Sequence, residues 1–272
     1  MSTLAELLDT YRDAITEYLY IGYARWDNLI GRIAKQETKP VHDFADEQVW
    51  TFLVGCRYAM ARAEGTRVLT KTLTGSDQPT PSICKIWFEV LPIPPRKGEG
   101  NTHIDLALGT ITSRDETKSG IKLDDVESSW VCFCEMKWYS DIAMNVNYDI
   151  HRNQLARVIE NALCFQGFGR YAEKVYVTIV TPSIFQEPCA KSRLYQYKFE
   201  EYNASPTHLM DDLRACDLEE NRQSNWSYPS SLMRWIDTLS LRWVNYDELF
   251  EQHLPTSDIS SELYMFWKQN KY

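Results

Sequence analysis

The sequence predicts an α/β protein built on a mixed central sheet flanked by helices. Three observations carry that expectation. The N-terminal region has apolar residues at helical spacing, a middle region is rich in β-branched and aromatic residues broken by turns, and an amphipathic helical pattern then leads into one more apolar strand. The predicted order is therefore helix, three strands, helix, strand.

The elements follow in turn. Thr3 and Glu6 have capping-box spacing, and Leu4, Leu8, Tyr11, Ile15 and Tyr18 recur at intervals of four and three, so a helix with one apolar seam is expected from about Thr3 to Ala24. The polar stretch "AKQETKPVHD" separates it from a second helix starting near Asp46, where Val49, Leu53, Cys56, Met60 and Ala63 repeat the spacing and Gly65 weakens the end. "ICKIWFEVLPIPP" reads as a strand stopped by prolines, and "THIDLALGTIT" as a second, with Ile104, Leu106 and Leu108 on one face and His103, Asp105 and Ala107 on the other. The polar run from Ser113 to Ser129 is expected to be a long loop.

The third strand opens "WVCFCEMKWYS", Trp130 to Ser140. Leu155, Val158, Ile159, Ala162 and Leu163 then fit one helical face closed by Gly167 and Gly169, and "KVYVTIVTP" reads as a buried strand. From Cys189 to Tyr228 the pattern is polar and irregular. A helix and short strand return afterwards, with Trp235, Leu239, Leu241 and Trp243 offered to the core. This divides the chain into an N-terminal helical extension (1–45), an α/β core (46–188) and a C-terminal extension packing on it (189–272).

Of the 272 residues, 44% are hydrophobic and 25% charged, which suits a chain with one substantial core. No apolar run approaches the ~20 residues of a membrane helix, and the N-terminal residues do not pair a basic region with an apolar one. A soluble, cytoplasmic protein is expected. Seven cysteines without regular spacing, mostly inside apolar stretches, read as reduced core thiols. The net charge of −9 argues against a general electrostatic grip on nucleic acid, although it leaves local contact open.

Chemistry enters at the end of the third strand. Glu135 and Lys137, two positions apart, point to the same face, and the neighbouring strand carries Asp105 between Ile104 and Leu106, where an unpaired carboxylate is costly to bury. Gln154 opens the next helix. This order of an acid, an acid-x-lysine and a helix-opening glutamine resembles the PD-(D/E)xK nuclease superfamily, over roughly Asp46 to Pro182. Glu135-Met136-Lys137 matches the acid-x-lysine element directly. Asp105 matches the lone acid without the proline that often precedes it, since the sequence reads "HID", and a long gap separates the two half-motifs.

The resemblance implies a restriction-endonuclease-like fold and a Mg²⁺-dependent endonuclease acting on DNA, with Mn²⁺ able to substitute, in restriction, repair or anti-phage defence. It assigns Asp105 and Glu135 as metal ligands, Lys137 as the group that orients water or stabilises the transition state, and Gln154 as its support. Two carboxylates on adjacent strands make a plausible partial shell for a hard cation. A lysine near pKa ~10.4 is a poor base at neutral pH, so an electrostatic role is expected. His103, Arg152 and Arg157 are candidates for touching substrate. Glu47 and Glu64 could supply the extra acid that some members place on the first core helix, but both read as ordinary surface residues. Cys132 and Cys134 lack the second pair a zinc site needs. A nuclease-like domain that no longer cuts and serves as a binding or assembly subunit is the alternative, and an acidic interaction protein with an accidental triplet is a third reading. The N-terminal seam would either cover the sheet or support a homodimer.

Overall fold

The computed structural model describes residues 3–38, 44–79, 84–99, 102–115, 117–144, 152–187, 193–214, 236–255 and 258–271. The N-terminal region is three helices rather than one. Helix α1 (Leu4–Thr10) starts in a complete Thr3/Glu6 capping box, α2 (Arg12–Tyr18) follows after a break at Tyr11, and the chain then turns extended as β1 (Leu19–Tyr20). Gly22 caps α3 (Tyr23–Glu37), which takes in the first four residues of the polar stretch expected to be a linker and buries Trp26, Leu29 and Ile33. Apolar spacing alone could not reveal these breaks, because the seam continues across them: Leu4, Leu8 and Ile15 are fully buried, with Tyr11 and Tyr18 packed against the same cluster. The seam is therefore spent inside the chain, and the homodimer expected from it loses that basis.

Helix α4 (Glu47–Met60), capped by Asp46, is buried along nearly its whole length. It breaks at Arg62, whose φ of 53° is left-handed, into α5 (Arg62–Thr74). Gly65 lies inside α5 instead of ending α4. It is needed there because a Cβ would collide with the Tyr58 carbonyl oxygen where the two helices meet.

The sheet comprises β1, β2 (Ile86–Val90), β3 (Ile104–Gly109), β6 (Trp130–Met136), β9 (Lys174–Thr181) and β10 (Leu239–Asn245), in the order β1-β2-β3-β6-β9-β10. Only β3 runs against the others. Between β3 and β6 the expected loop is partly a hairpin of β4 (Ile111–Ser113) and β5 (Ile121–Leu123), held by Ile111, Ile121 and Leu123, which are buried despite polar neighbours. Helix α6 (Gln154–Leu163) ends before Gly167 and Gly169, which belong instead to a small hairpin, β7 (Gln166–Gly167) and β8 (Arg170–Tyr171). Helices α7 (Leu194–Ala204) and α8 (Pro206–Arg214) occupy part of the segment expected to be irregular. After β10 come α9 (Tyr246–Glu251) and α10 (Asp258–Asn270).

The result is a mixed α/β fold of three layers. One face of the sheet carries α1 to α5, α9 and α10 over a cluster that includes Trp50, Phe52, Trp138 and Trp267. The other carries α6 to α8 over Val131, Phe133, Val177 and Ile179. Both chain extensions contribute an edge strand, so the sheet is completed only by residues outside the central segment. Leu239, Leu241 and Trp243 pack partly buried against the second cluster, and Trp235 lies outside the described residues. Among the described residues no helix is long and apolar enough to cross a membrane, and the described cysteines, all buried, are unbridged.

Gly65 generates a prediction with an unusual sign. Replacing glycine by alanine within a helix ordinarily stabilises by about 0.5–1 kcal/mol. Here Gly65→Ala should instead destabilise by about 1–3 kcal/mol, the usual cost of overpacking, read as an earlier urea midpoint with an unchanged slope. A variant as stable as the parent would show that α4 and α5 can part at no cost.

Candidate functional site

One edge of the sheet collects the charged groups. β2 and β6 end there and β3 begins there, so the start of β3 and the end of β6 lie side by side: Leu106 pairs with Cys134, and the same register sets Asp105 opposite Glu135. Directly opposed residues in an antiparallel pair share a face. Glu135 continues the row of Val131 and Phe133 toward α6, while Cys132, Cys134 and Met136 face the other layer. The structure thus brings together Asp105, Glu135, Lys137 and Gln154.

Glu135 is 2% exposed and Lys137 only 6%, so neither is the solvated strand-end charge that polar letters suggest. Lys137 Nζ lies 2.8 Å from Glu135 Oε1 and 3.2 Å from Glu47 Oε1. Glu47 was expected to be an ordinary surface residue; instead its second oxygen accepts from the Trp138 backbone N–H at 3.0 Å and the Ser140 hydroxyl at 2.6 Å. Stacking of Trp138 on Trp50, with ring centroids 4.8 Å apart, ties the strand end to the same helix. Glu64, by contrast, is exposed and pairs with Arg67. Sequence gave little hint to separate the two acids: the one signal was that Glu47 follows the helix-capping Asp46, which places it at the end of α4 nearest the strand edge.

Gln154 donates to Glu135, and its own carbonyl oxygen accepts from the Ala143 N–H at 3.0 Å while Ala143 returns a carbonyl to the Gln154 N–H at 3.0 Å. The amide orientation of Gln154 is therefore fixed by its neighbours. Asp105, half-buried, accepts from the Met136 N–H at 2.8 Å. Cys132 and Cys134 sit 3.9 Å apart in the apolar layer behind the site and take no part in it.

The electrostatics follow from three carboxylates sharing one ammonium. Burial, and next the charge of Glu135, push the Asp105 carboxyl well above the usual range; Lys137 and the Met136 N–H offset this only partly, and Glu47 adds to it. Burial alone would pull Lys137 down, but Glu135, Asp105 and Glu47 outweigh it and raise the ammonium above its ordinary value. Lys137 is consequently a fixed cation, unsuited to accepting a proton at neutral pH.

The arginine candidates part ways. Arg152 does not reach substrate: 1% exposed, it pairs with Glu99 at 2.9 Å and Glu160 at 3.0 Å, and Arg96 also pairs with Glu160 at 3.0 Å. This is a correction with a clear cause, since a buried guanidinium must be paired. The cluster instead anchors the start of α6 two residues before Gln154. Arg157, one turn beyond Gln154, is partly exposed, and its Nε finds no hydrogen-bond partner among the described residues. His103 is exposed just before β3; burial of part of its ring, with the charges of Arg25 and Arg157, holds it below its ordinary value.

Among the described residues no three or more His, Cys, Asp and Glu side chains form a ready metal cluster. The donor pair Asp105 and Glu135 still fits a hard divalent cation, because both are carboxylates on directly opposed residues, and a cation would offset the Glu135 charge that adds to the burial of Asp105. No family model, curated protein or solved structure matches this chain.

The Asp105 shift has a consequence for stability. A carboxyl raised in the folded state costs nothing below the unfolded value of ~3.9, where both states are protonated, and the cost grows as pH rises through the folded value. Asp105→Asn should therefore melt higher than the parent at pH ~7, by about 2–4 °C for each kcal/mol recovered. The gain should vanish as pH falls toward ~3.9. A gain that is the same at both pH values, or a lower melting temperature at neutral pH, would show that Asp105 carries no such cost.

Proposed function

We propose that the chain is a magnesium-dependent phosphodiesterase of the PD-(D/E)xK type, cleaving DNA. The observation that carries this reading is the junction in which Asp105 and Glu135 oppose each other while Lys137 is held beside Glu135 by Glu47. The order of α4/α5, β2, β3, β6, α6 and β9, with the acids at one sheet edge, supports the restriction-endonuclease-like reading of the fold. A cytoplasmic role in restriction, repair or anti-phage defence goes with the same proposal.

Each residue has a physical task. Asp105 and Glu135 would hold the ion, and Gln154 fixes Glu135 by donating to the same oxygen that meets Lys137. When bound, magnesium supplies Lewis acidity, lowering the pKa of a water and drawing charge from the phosphate. Lys137 cannot take the proton from that water, because its charge is fixed by three carboxylates. It provides a preorganised positive charge for the oxygens that become more negative as the bond breaks, and preorganised charge is worth most in a partly dry site. Glu47 stops Lys137 from collapsing wholly onto Glu135.

Plasmid, linear duplex, single-stranded DNA and RNA, incubated with the purified chain in Mg²⁺ or EDTA, test the reaction. Cleavage should require Mg²⁺. Asp105→Ala and Glu135→Ala should each lower the rate by about 10³-fold or more, equal to at least ~4 kcal/mol of transition-state stabilisation, with a cooperative melt retained. Lys137→Ala should lose about 10²–10³ in turnover while still binding Mn²⁺. Near-parental cutting by either acid variant would remove these residues from the reaction, and absence of cutting on every substrate would sink the proposal.

A further inference from the structure

Beside the carboxylates lies a cavity of about 680 Å³ between α3, the start of α4, the end of β2 and the turn joining β4 to β5. Arg25, Arg32 and Lys118 line it, with Arg25 paired to Glu89 and Arg32 held by both oxygens of Asp46, in a protein of net charge −9. Leu29, Phe88 and Leu91 supply apolar surface, and Asn28 and Gln48 supply amide groups. Arg25 and Arg32 stand two turns apart on α3, and Lys118 reaches the same cavity from the turn between β4 and β5, so the cations are drawn from two separate segments.

The cavity is built as well as charged. Glu89 is buried with a left-handed φ of 45°, an uncommon and costly state for a residue with a side chain. Arg25 and Gln48 hold it there. The β2/β3 register places Glu89 across from Asp105, and His103, on the cavity wall, is two residues or ~7 Å along an extended chain from Asp105. A second cavity, of about 590 Å³, shares Arg32 and Gln48 with the first and is lined by Glu47, the partner of Lys137. Gln48, in the wall of both cavities, directly follows Glu47 at the start of α4.

An anionic ligand with an apolar, flat, hydrogen-bonding body matches these walls: a nucleoside phosphate. We infer that this cavity is a nucleotide subsite, receiving the unpaired nucleotide of the substrate strand adjacent to the bond that is cut. The inference rests on the phosphodiesterase reading for its strand, although not for the chemistry of the cavity itself. In this arrangement Arg25, Arg32 and Lys118 meet the phosphate, and the apolar residues meet the sugar and base. An intact duplex keeps each base stacked and paired, so a nucleotide enters such a cavity only from a single strand, a frayed end or a flipped position. The preferred substrate is then a strand with unpaired nucleotides.

The test is calorimetric binding of thymidine 5′-monophosphate to the full chain in EDTA, with thymidine and inorganic phosphate as controls. Lys118→Glu reverses a charge at an exposed position, and Asn28→Trp fills the cavity mouth from an exposed position on α3. The monophosphate should bind wild type at least about tenfold more tightly than either control, and each variant should lose about tenfold, one factor of ten being ~1.4 kcal/mol. A short oligothymidylate should displace it. Binding no tighter than thymidine or phosphate, or undiminished in both variants, overturns the subsite. Monophosphate binding that the oligonucleotide leaves untouched overturns the strand assignment and makes this a site for a free nucleotide. Since binding is read without metal or cleavage, a chain that binds as described but cuts nothing refutes the phosphodiesterase reading separately.

Discussion

A buried ammonium governs the architecture of the sheet edge. Lys137 is withdrawn from water at the end of β6, and the several kcal/mol such burial costs must be met by partners in good geometry. Those partners come from far apart: Glu135 from the same strand, and Glu47 from the first turn of α4, 90 residues earlier. The contact therefore joins the helical layer to the strand edge. Removing Glu47 would leave an ammonium with less compensation, while removing Lys137 would leave the opposed acids with only the Met136 N–H and the Gln154 amide. Three carboxylates around one cation also leave negative charge in excess, and the charges of Glu135 and Glu47 add to the burial that raises the Asp105 carboxyl.

Much of the surrounding structure keeps that arrangement in place. The Arg96, Glu99, Arg152 and Glu160 pairs fasten the start of α6, so Gln154 meets Glu135 with its amide already oriented by Ala143. Breaking such a buried pair costs about 3–5 kcal/mol, far more than a surface ion pair. The next turn of chain is secured in the same way, because both oxygens of Asp141 accept from the first N–H groups of α7, at Leu194 and Tyr195. Support of this kind suits the preorganised charge proposed for the site.

The central strands were legible in the sequence because apolar composition and alternation are strong signals there. β2, β3, β6 and β9 and helix α6 lie where the pattern puts them, and the pairing of Asp105 with Glu135 follows once β3 and β6 are neighbours. Boundaries within continuous apolar seams were not legible: nothing in Leu4 to Tyr18 announces the break at Tyr11. Short elements rescued by tertiary burial were also missed, as with Ile121 and Leu123 in a polar run, and α7, whose faces differ little in polarity. At the site, the letters could not say which arginine is buried. Arg152 and Arg157 look alike in sequence, and only the placement of Glu99 and Glu160 separates the buried, ion-paired Arg152 from the partly exposed Arg157. The role of Glu47 likewise depends on a contact across 90 residues, which local pattern does not record.

The excess of negative charge at this edge is the point on which the functional reading turns, and a divalent cation is what should neutralise it. Calorimetric titration with Mn²⁺ of the parent protein and of the double variant Asp105→Asn, Glu135→Gln measures this directly, since the exchange removes charge with little change in shape. The parent should bind Mn²⁺ and the double variant should bind it about a hundredfold or more weakly, a loss of at least ~2.7 kcal/mol. Equal affinity in the two proteins, or no binding by the parent, would contradict the placement of a cation between these carboxylates.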